Sequence, residues 1–213
     1  KKKILNTPRI GLVNGLFATS SGIGGITIIE TYKSLSESRL SLELTGKQGD
    51  VMKESMRVAK TVAWNLLTKE NQDKIRKQQP YGIHIHCPEA ATPKDGPSAG
   101  GAITIAILSQ ILQLPVNNLC AMTGEIDLNG CIHAIGGLYS KLQGAKTAGV
   151  KKVLIPTQNK DDYIKIINNK DNDIYEDDDD FKVLMVDNIH QVIEHFLIFP
   201  DKSEKTQYLN YNN

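Results

Sequence analysis

A helix-length segment that is apolar on nearly all sides lies between about Ser98 and Leu112. It follows the Pro- and Gly-rich stretch EAATPKDGPSAGG, which predicts a loop. A helix that is apolar all round is stable in water only where other parts of the protein cover its sides. We therefore expect a central buried helix that begins at this loop and runs through the middle of the domain.

The segments around this helix predict an α+β fold. Between residues 9 and 45, three apolar segments rich in β-branched residues predict three strands. From Gly49 to Leu67, apolar residues recur at three-to-four spacing, which is typical of an amphipathic helix, and the polar segment 69–80 closes that helix. The remaining elements are expected in this order: a strand at 83–87, a strand at 119–123, a turn at 127–130, a strand at 131–135, a helix at 137–148, a strand at 152–156, and a helix–strand–helix pattern that ends near Phe199.

Both ends of the chain and one internal segment fall outside this pattern. We expect residues 1–8 to be a linker from an upstream part of a longer protein, residues 9–199 to be one domain, and residues 200–213 to be a polar C-terminal tail. Residues 168–180, NNKDNDIYEDDDD, are an acidic low-complexity insertion. We expect this insertion to bury no apolar surface and to be disordered.

Composition removes several classes of function. The 25 Lys and Arg residues balance 24 Asp and Glu residues, so no overall positive field attracts nucleic acid, and we expect no nucleic-acid site. The longest apolar run, residues 99–114, is broken by polar residues and is too short to span a bilayer, so we expect no membrane segment. Three widely spaced cysteines predict no disulfide framework.

Ser98 is a candidate nucleophile because it lies where the loop meets the start of the apolar helix. Backbone N–H groups of the Pro97-Ser98-Ala99 region and the positive end of the helix dipole converge there, so an oxyanion formed at Ser98 would find donors. The alternative is that Ser98 only caps the helix, as serine commonly does.

Lys141 is a candidate base because it lies on an apolar helix face. Its spacing of three and four from Leu138 and Ala145 places it on the stripe that faces the core. Desolvation lowers the pKa of a lysine, so that the neutral amine can accept a proton from a hydroxyl group. The alternative is a side chain that lays its stem on apolar surface and keeps its amine in water.

Two histidines, His84 and His86, share one face of a predicted strand. They are expected either to reach the Ser98 loop or, with Cys87 or Glu89, to hold a metal. No second cluster with metal-ligand spacing follows, so we expect no metal site. The Gly-rich segments SSGIGG and GPSAGG lack the pattern of a phosphate-binding loop.

Three motifs taken together resemble the proteolytic domain of the Lon family of ATP-dependent proteases. They are ATPKDGPSAG at 91–100, MTGEI at 122–126, and IGGL at 135–138 followed by Lys141. The resemblance spans about Ile10 to Phe199. It implies a single Lon proteolytic domain with a two-layer arrangement like that of ribosomal protein S5 domain 2.

The resemblance also implies roles for individual residues. Ser98 matches the family's nucleophile, and Lys141 matches the base of a Ser-Lys dyad. Thr123 is implied to orient the lysine amine. Other implied neighbours of the site are Glu30, His84, Asp95 and Glu125. The sequence departs from many members of the family at Ala134, where proline is common, and in its longer and more acidic insertion.

The resemblance further implies a setting for the domain. Unfolded polypeptides would be the substrates, and a homohexameric ring would enclose the sites. ATP and Mg²⁺ would bind an AAA+ module upstream of Lys1, with no cofactor in this segment. The compartment would be the mitochondrial matrix, or alternatively the bacterial cytoplasm. A rival hypothesis is a catalytically shut, ring-forming module in which Asp95 pairs with Lys141 until the AAA+ partner acts.

Overall fold

The computed structural model of this chain describes residues 2–46, 48–88 and 96–211. These residues contain seven α-helices and a mixed seven-stranded sheet, so the expected α+β class is confirmed. The strands are β1 (Arg9–Ile10), β2 (Leu12–Ala18), β3 (Gly24–Leu35), β4 (Leu42–Thr45), β5 (Tyr81–His86), β6 (Pro115–Val116), β7 (Cys120–Met122), β8 (Glu125–Ile126), β9 (Ile132–His133), β10 (Lys152–Pro156) and β11 (Lys182–Val186). The helices are α1 (Asp50–Leu66), α2 (Lys69–Lys77), α3 (Gly100–Leu112), α4 (Leu138–Thr147), α5 (Lys160–Asn168), α6 (Ile189–Phe196) and α7 (Lys205–Tyr208), with short 3-10 turns at Pro97–Ala99, Thr157–Asn159 and Lys202–Glu204.

The large sheet has the order β11-β10-β7-β2-β3-β5-β4. Its β11-β10-β7-β2 half is parallel, whereas β3 runs antiparallel to both of its neighbours and β4 is parallel to β5. The strands β8 and β9 form a separate small hairpin. The sheet therefore has two halves of different connectivity, which meet at β2.

Helix α3 is the buried centre of the domain, as its all-round apolar sequence predicted. Its residues from Gly100 to Gln110 are all buried. It packs against α1 and α6, and also against β2 and β3 of the sheet. Met56 and Ala63 of α1 are fully buried in the same cluster. This cluster covers one face of the sheet and fixes the start of α3, which directly follows the 3-10 turn that contains Ser98.

Helix α4 covers part of the opposite face and contacts β2 and β3 directly. Glycines allow this approach: a Cβ added at Gly144 would lie 2.3 Å from the backbone carbon of Gly24. One added at Gly24 would lie 1.7 Å from the carbonyl oxygen of Ser140. The SSGIGG segment thus lets the backbone of α4 lie against the start of β3.

One expectation about the fold is wrong in the polar segment 69–80. This segment contains α2, where we expected only the closing of the preceding helix. Thr68 caps α2 by accepting a hydrogen bond from the Asn71 N–H, and Ile75 is its buried anchor. One apolar residue in nine gives too weak a pattern for sequence periodicity to detect, although the helix still docks on the domain.

The acidic insertion is also attached to the domain, contrary to the expectation that it buries no apolar surface. Ile174 is only 1% exposed and packs in the cluster beneath α4 and α5. Asp178 forms an ion pair with Lys146 of α4 at 3.0 Å. The segment therefore follows a defined set of turns, held by buried Ile174, by the contacts of Lys146 with Asp173 and Asp178, and by a hydrogen bond from Asn172 to the Ile166 carbonyl.

The segment after Phe199 packs against the domain as well. Leu209 is buried, and the Asn210 N–H donates to the carbonyl of Leu66 at 2.8 Å. The expected polar tail therefore includes an apolar contact with the end of α1. Across the described parts of the chain, none of the helices combines the length and the apolar character that a membrane crossing requires.

Candidate functional site

Ser98 lies in the 3-10 turn Pro97–Ala99 and is half-buried. Its carbonyl accepts a hydrogen bond from the Gly124 N–H at 2.8 Å, and the Gly101 N–H donates to the Gly124 carbonyl at 3.1 Å. Small residues are needed here, because a Cβ added at Gly100 would lie 2.9 Å from the side chain of Ile126. Gly100 and Gly101 thus let the start of α3 pack closely against β8 and against Met122 at the end of β7.

Lys141 lies on the buried side of α4 and is 5% exposed. The desolvation expected from its place on the apolar stripe is confirmed, and this burial lowers the pKa of the Lys141 amine to about 8. Its Nζ donates to Thr123 Oγ1 at 3.1 Å. The amine is therefore held on a hydroxyl group, and a substantial fraction of it is neutral near pH 8.

The peptide unit between Thr123 and Gly124 connects these two features. The side chain of Thr123 binds the amine of Lys141, and the backbone N–H of Gly124 binds the carbonyl of Ser98. The Thr123 N–H in turn donates to the Leu154 carbonyl of β10 at 3.2 Å. The structure therefore brings Ser98, Thr123 and Lys141 together at the carboxyl end of β7.

Other residues named from the sequence lie farther along the sheet. Glu30 of β3 is in register with His86 of β5, on the face opposite buried Ile85. The hydroxyl of Thr45 lies 2.8 Å from His84 Nε2 and 2.6 Å from His86 Nδ1. His84 thus belongs to a polar group around Thr45, and Glu30 lies across from His86 of that group, on the face that α4 covers elsewhere.

Glu125 and Asp95 complete the expected set. Glu125 directly follows Gly124 and pairs with His133 in the β8–β9 hairpin, which places it next to the site. Asp95 lies outside the described residues, as do Glu89 and residues 91–94 of the sequence motif. Within the described ranges there is no group of three or more His, Cys, Asp or Glu side chains that could hold a metal.

Sequence reasoning missed two amide side chains beside the site. Gln158 and Asn159 hydrogen-bond to the backbone of Ala134 and Ile135, just before the glycines that lead into α4. They occur in the ordinary segment PTQNKDD, and their partners lie 24 residues earlier in the chain. Only the burial of Asn159, an unusual state for asparagine, marks it as special.

A sequence model of the Lon protease (S16) C-terminal proteolytic domain matches residues 1–199. A Lon protease homolog of Acanthamoeba polyphaga mimivirus is 45% identical over 188 residues, which are 86% of this chain and 18% of that relative. The Lon protease of Clostridioides difficile is 38% identical over 191 residues, or 90% of this chain and 23% of the relative. A chloroplastic/mitochondrial Lon protease homolog of Arabidopsis thaliana is 40% identical over 170 residues, which are 79% of this chain and 18% of that relative.

These matches place the chain in a class of peptidase domains. It belongs to the Lon protease C-terminal proteolytic domain family. The chain spans about a fifth of the length of the curated relatives described above, between 18% and 23%.

Proposed function

We propose that this chain is the proteolytic part of an ATP-dependent serine endopeptidase that degrades unfolded or damaged proteins through a Ser98–Lys141 dyad. The observation that carries the proposal is the double contact at the end of β7. Thr123 holds the amine of a buried lysine, and Gly124 holds the backbone of the serine. Burial, which lowers the pKa of Lys141 to about 8, supplies the neutral amine that a base needs.

In the proposed mechanism, neutral Lys141 takes the proton from Ser98 Oγ as that oxygen attacks a peptide carbonyl carbon. Backbone N–H groups of the Pro97-Ser98-Ala99 region stabilise the resulting oxyanion, aided by the N-terminus of α3. The C–N bond breaks, and the leaving amine takes the proton from Lys141. Water then attacks the acyl carbon while the same lysine takes its proton; the ester C–O bond breaks, and Ser98 Oγ takes that proton back from Lys141.

Supporting roles follow from position. Thr123 accepts a hydrogen bond from the amine and so orients it toward the serine turn. Glu125 is proposed to act beside the dyad, because it follows Gly124 directly. Glu30 and His84 are proposed to contribute from the polar group around Thr45, and Asp95 from the loop before Ser98. None of these groups is needed to balance the proton transfers of the dyad.

The family relationship supports a wider setting for the domain. We propose that residues 9–199 form the proteolytic domain, in the two-layer arrangement of ribosomal protein S5 domain 2, with a linker at 1–8 and a tail at 200–213. An AAA+ module of the same protein would bind ATP and Mg²⁺, and the subunits would form a hexameric ring. Relatives named as mitochondrial and bacterial Lon proteases support the mitochondrial matrix or the bacterial cytoplasm as its location.

The test is degradation of an unfolded polypeptide by the full-length protein in the presence of ATP. Ser98→Ala, Lys141→Ala and Lys141→Arg are each expected to lower the rate by at least about 10³-fold, the last because a guanidinium group stays protonated. Lys146→Arg on the same helix is the matched control, because arginine keeps the ion pair with Asp178. Activity retained in Ser98→Ala or Lys141→Arg would refute the dyad.

A second measurement separates an active site from a shut one. A serine-directed peptide boronate should bind the wild-type protein, but not Ser98→Ala, without any nucleotide. Binding that requires ATP would instead support the rival hypothesis, a shut ring-forming module that its AAA+ partner activates.

A further inference from the structure

The segment that leads into α4 sets the position of the proposed base. The chain leaves β9 at His133 and enters α4 through Gly137, whose φ of +68° lies in the left-handed region. The Lys141 N–H donates to the Gly137 carbonyl at 3.1 Å. Any displacement of Gly137 therefore carries the first turn of α4, and Lys141 with it.

Side-chain packing holds only part of this segment: Ile135 is partly buried against the cluster that contains Leu138, whereas its neighbours have few contacts. Ala134, Gly136 and Gly137 are exposed. A Cβ added at Gly136 would meet nothing within 4 Å. Two consecutive glycines also lose more conformational entropy on ordering than other residues do. Hydrogen bonds to the backbone of Ala134 and Ile135 supplement this packing.

Asn159 fixes it with a two-point contact. Its Oδ1 accepts the Ile135 N–H at 3.0 Å, and its Nδ2 donates to the Ile135 carbonyl at 2.9 Å. The same Nδ2 donates to Asp162 Oδ2 at 2.9 Å, which orients the amide so that oxygen faces N–H and nitrogen faces carbonyl. Asn159 is 2% exposed, so its amide is shielded from water on its own side, which strengthens these partly buried hydrogen bonds.

Gln158 adds a second contact from the same 3-10 turn. Its Oε1 accepts the Ala134 N–H at 2.9 Å, and its Nε2 lies 3.3 Å from His133 Nδ1. Two neighbouring amide side chains thus bind three consecutive residues, 133–135.

The turn that carries both amides is anchored to the other partner of Lys141. Residues Thr157–Asn159 directly follow β10, and the Leu154 carbonyl of β10 accepts the Thr123 N–H. Strand β10 therefore binds the backbone of Thr123, whose hydroxyl binds the lysine amine. The turn that follows β10 binds the backbone of residues 134–135, which leads to the same lysine. This arrangement fixes the two parts relative to each other.

We propose that Asn159 is a positioning residue for Lys141: by pairing with Ile135 it fixes the lead-in to α4, so that the lysine amine reaches Thr123 in a site closed to water. Gln158 assists in the same role. The positioning of Lys141 by Asn159 is independent of the proposed function, whereas its expected effect on proteolysis rests on the proposed Ser98–Lys141 dyad. Asn159 acts through Ile135 and Gly137 and does not touch the substrate.

The test is Asn159→Asp in the full-length protein. Aspartate has the same shape but cannot donate to the Ile135 carbonyl, and it faces Asp162 with a second negative charge. We expect kcat to fall by about 10-fold to 100-fold with KM within about twofold, because misplacement of a catalytic group affects the chemical step. Asn168→Asp, the same charge change at the exposed last residue of α5, is the matched control and should change neither constant.

A direct measurement on Lys141 distinguishes positioning from simple loss of stability. Its rate of acetylation by acetic anhydride, followed against pH by peptide mass spectrometry, reports the pKa of its amine without any proteolysis. The midpoint should lie near 8 in the wild-type protein and in Asn168→Asp. In Asn159→Asp it should rise toward the ordinary lysine value of about 10.4, because water reaches the displaced amine.

The outcomes separate the two hypotheses. An unchanged acetylation midpoint in Asn159→Asp, even with lower activity and a lower Tm, would overturn the positioning role. Normal proteolysis in Lys141→Ala would refute the dyad but leave the acetylation test valid. If Asn159→Asp does not fold, the test uses Gln158→Ala, because Gln158 is exposed. Gln158→Ala should raise the pH midpoint of Lys141 acetylation by a smaller amount. An unchanged midpoint would overturn the inference.

Discussion

The lysine half and the serine half of the site are built in opposite ways. Lys141 is buried, its helix lies backbone to backbone on β3, and its amine is bound to Thr123. Ser98 is half-buried in a single 3-10 turn, and a hydrogen bond from Gly124 holds its carbonyl. A base with a lowered pKa needs a dry, fixed place, whereas a nucleophile needs access to a polypeptide. In the proposed dyad both needs would be met, because the two groups lie on different elements that meet at one peptide unit.

Removing each reactive group should reveal this difference most strongly. Lys141→Met and Ser98→Ala should both reduce proteolysis by at least about 10³-fold. Their effects on the free energy of unfolding should differ, because the folded-state pKa of Lys141 is about 8 and its unfolded value is ordinary. Below pH 8 the charged amine is buried at a cost on the order of 3 kcal/mol, so Lys141→Met should be more stable than wild type at pH 7 by up to that amount.

The same linkage gives the sign of the pH dependence. Between about pH 8 and pH 10.4 the unfolded state binds more protons than the folded state, so wild-type stability should rise with pH through this window. Urea denaturation at pH 7, 8.5 and 10 measures it, with Ser98→Ala following the wild type and Lys141→Met lacking the rise. A wild-type slope that persists in Lys141→Met would assign it to another group.

The contact between α4 and the start of β3 leaves no space for an added methyl group. Gly144→Ala would place a Cβ 2.3 Å from the backbone of Gly24, so we expect a loss of about 3 kcal/mol in the free energy of unfolding despite the better helix propensity of alanine. Gly136→Ala, with no atom within 4 Å, should change it by less than about 0.5 kcal/mol. Equal stabilities of the two variants would show that α4 does not depend on this contact.

Loss of the hydroxyl between the halves should have a smaller effect. Thr123→Val keeps the shape of the side chain but leaves the Lys141 amine without its acceptor. We expect kcat to fall by about tenfold, which corresponds to about 1.4 kcal/mol in the barrier. Thr123→Ser retains the hydroxyl and should stay within about threefold of wild type. A Thr123→Val protein with full kcat would mean that the helix alone positions the amine.

The smallest effect is expected at the other lysine of the same helix. Lys146 pairs with Asp178 near the surface, and its amine lies 5.2 Å from the ring centroid of Tyr175. Lys146→Met should cost at most about 1 kcal/mol, less at high salt, and should leave proteolysis unchanged. A large loss of activity would contradict the assignment of catalysis to Lys141 alone among the lysines of α4.

Sequence patterns predicted the parts of the molecule in which many residues repeat one preference. The all-round apolar segment identified α3, and a three-to-four spacing placed Lys141 on the buried side of α4. The patterns missed features that depend on one residue and a distant partner. Examples are Ile75 as the anchor of α2, Ile174 within an acidic run, and Asn159 bound to Ile135. A single contact of this kind leaves no periodic signal, and its energy depends on a geometry that only the complete fold supplies.

The pairing of β2 with β7 has a consequence for synthesis of the protein. Asn14 of β2 donates to the Cys120 carbonyl, 106 residues later in the chain, and Lys141 follows later still. Strands this far apart pair slowly, and only after most of the chain has left the ribosome. A growing or truncated chain that ends before Lys141 contains Ser98 without the proposed base, so under the proposed mechanism such a chain should not cleave peptides.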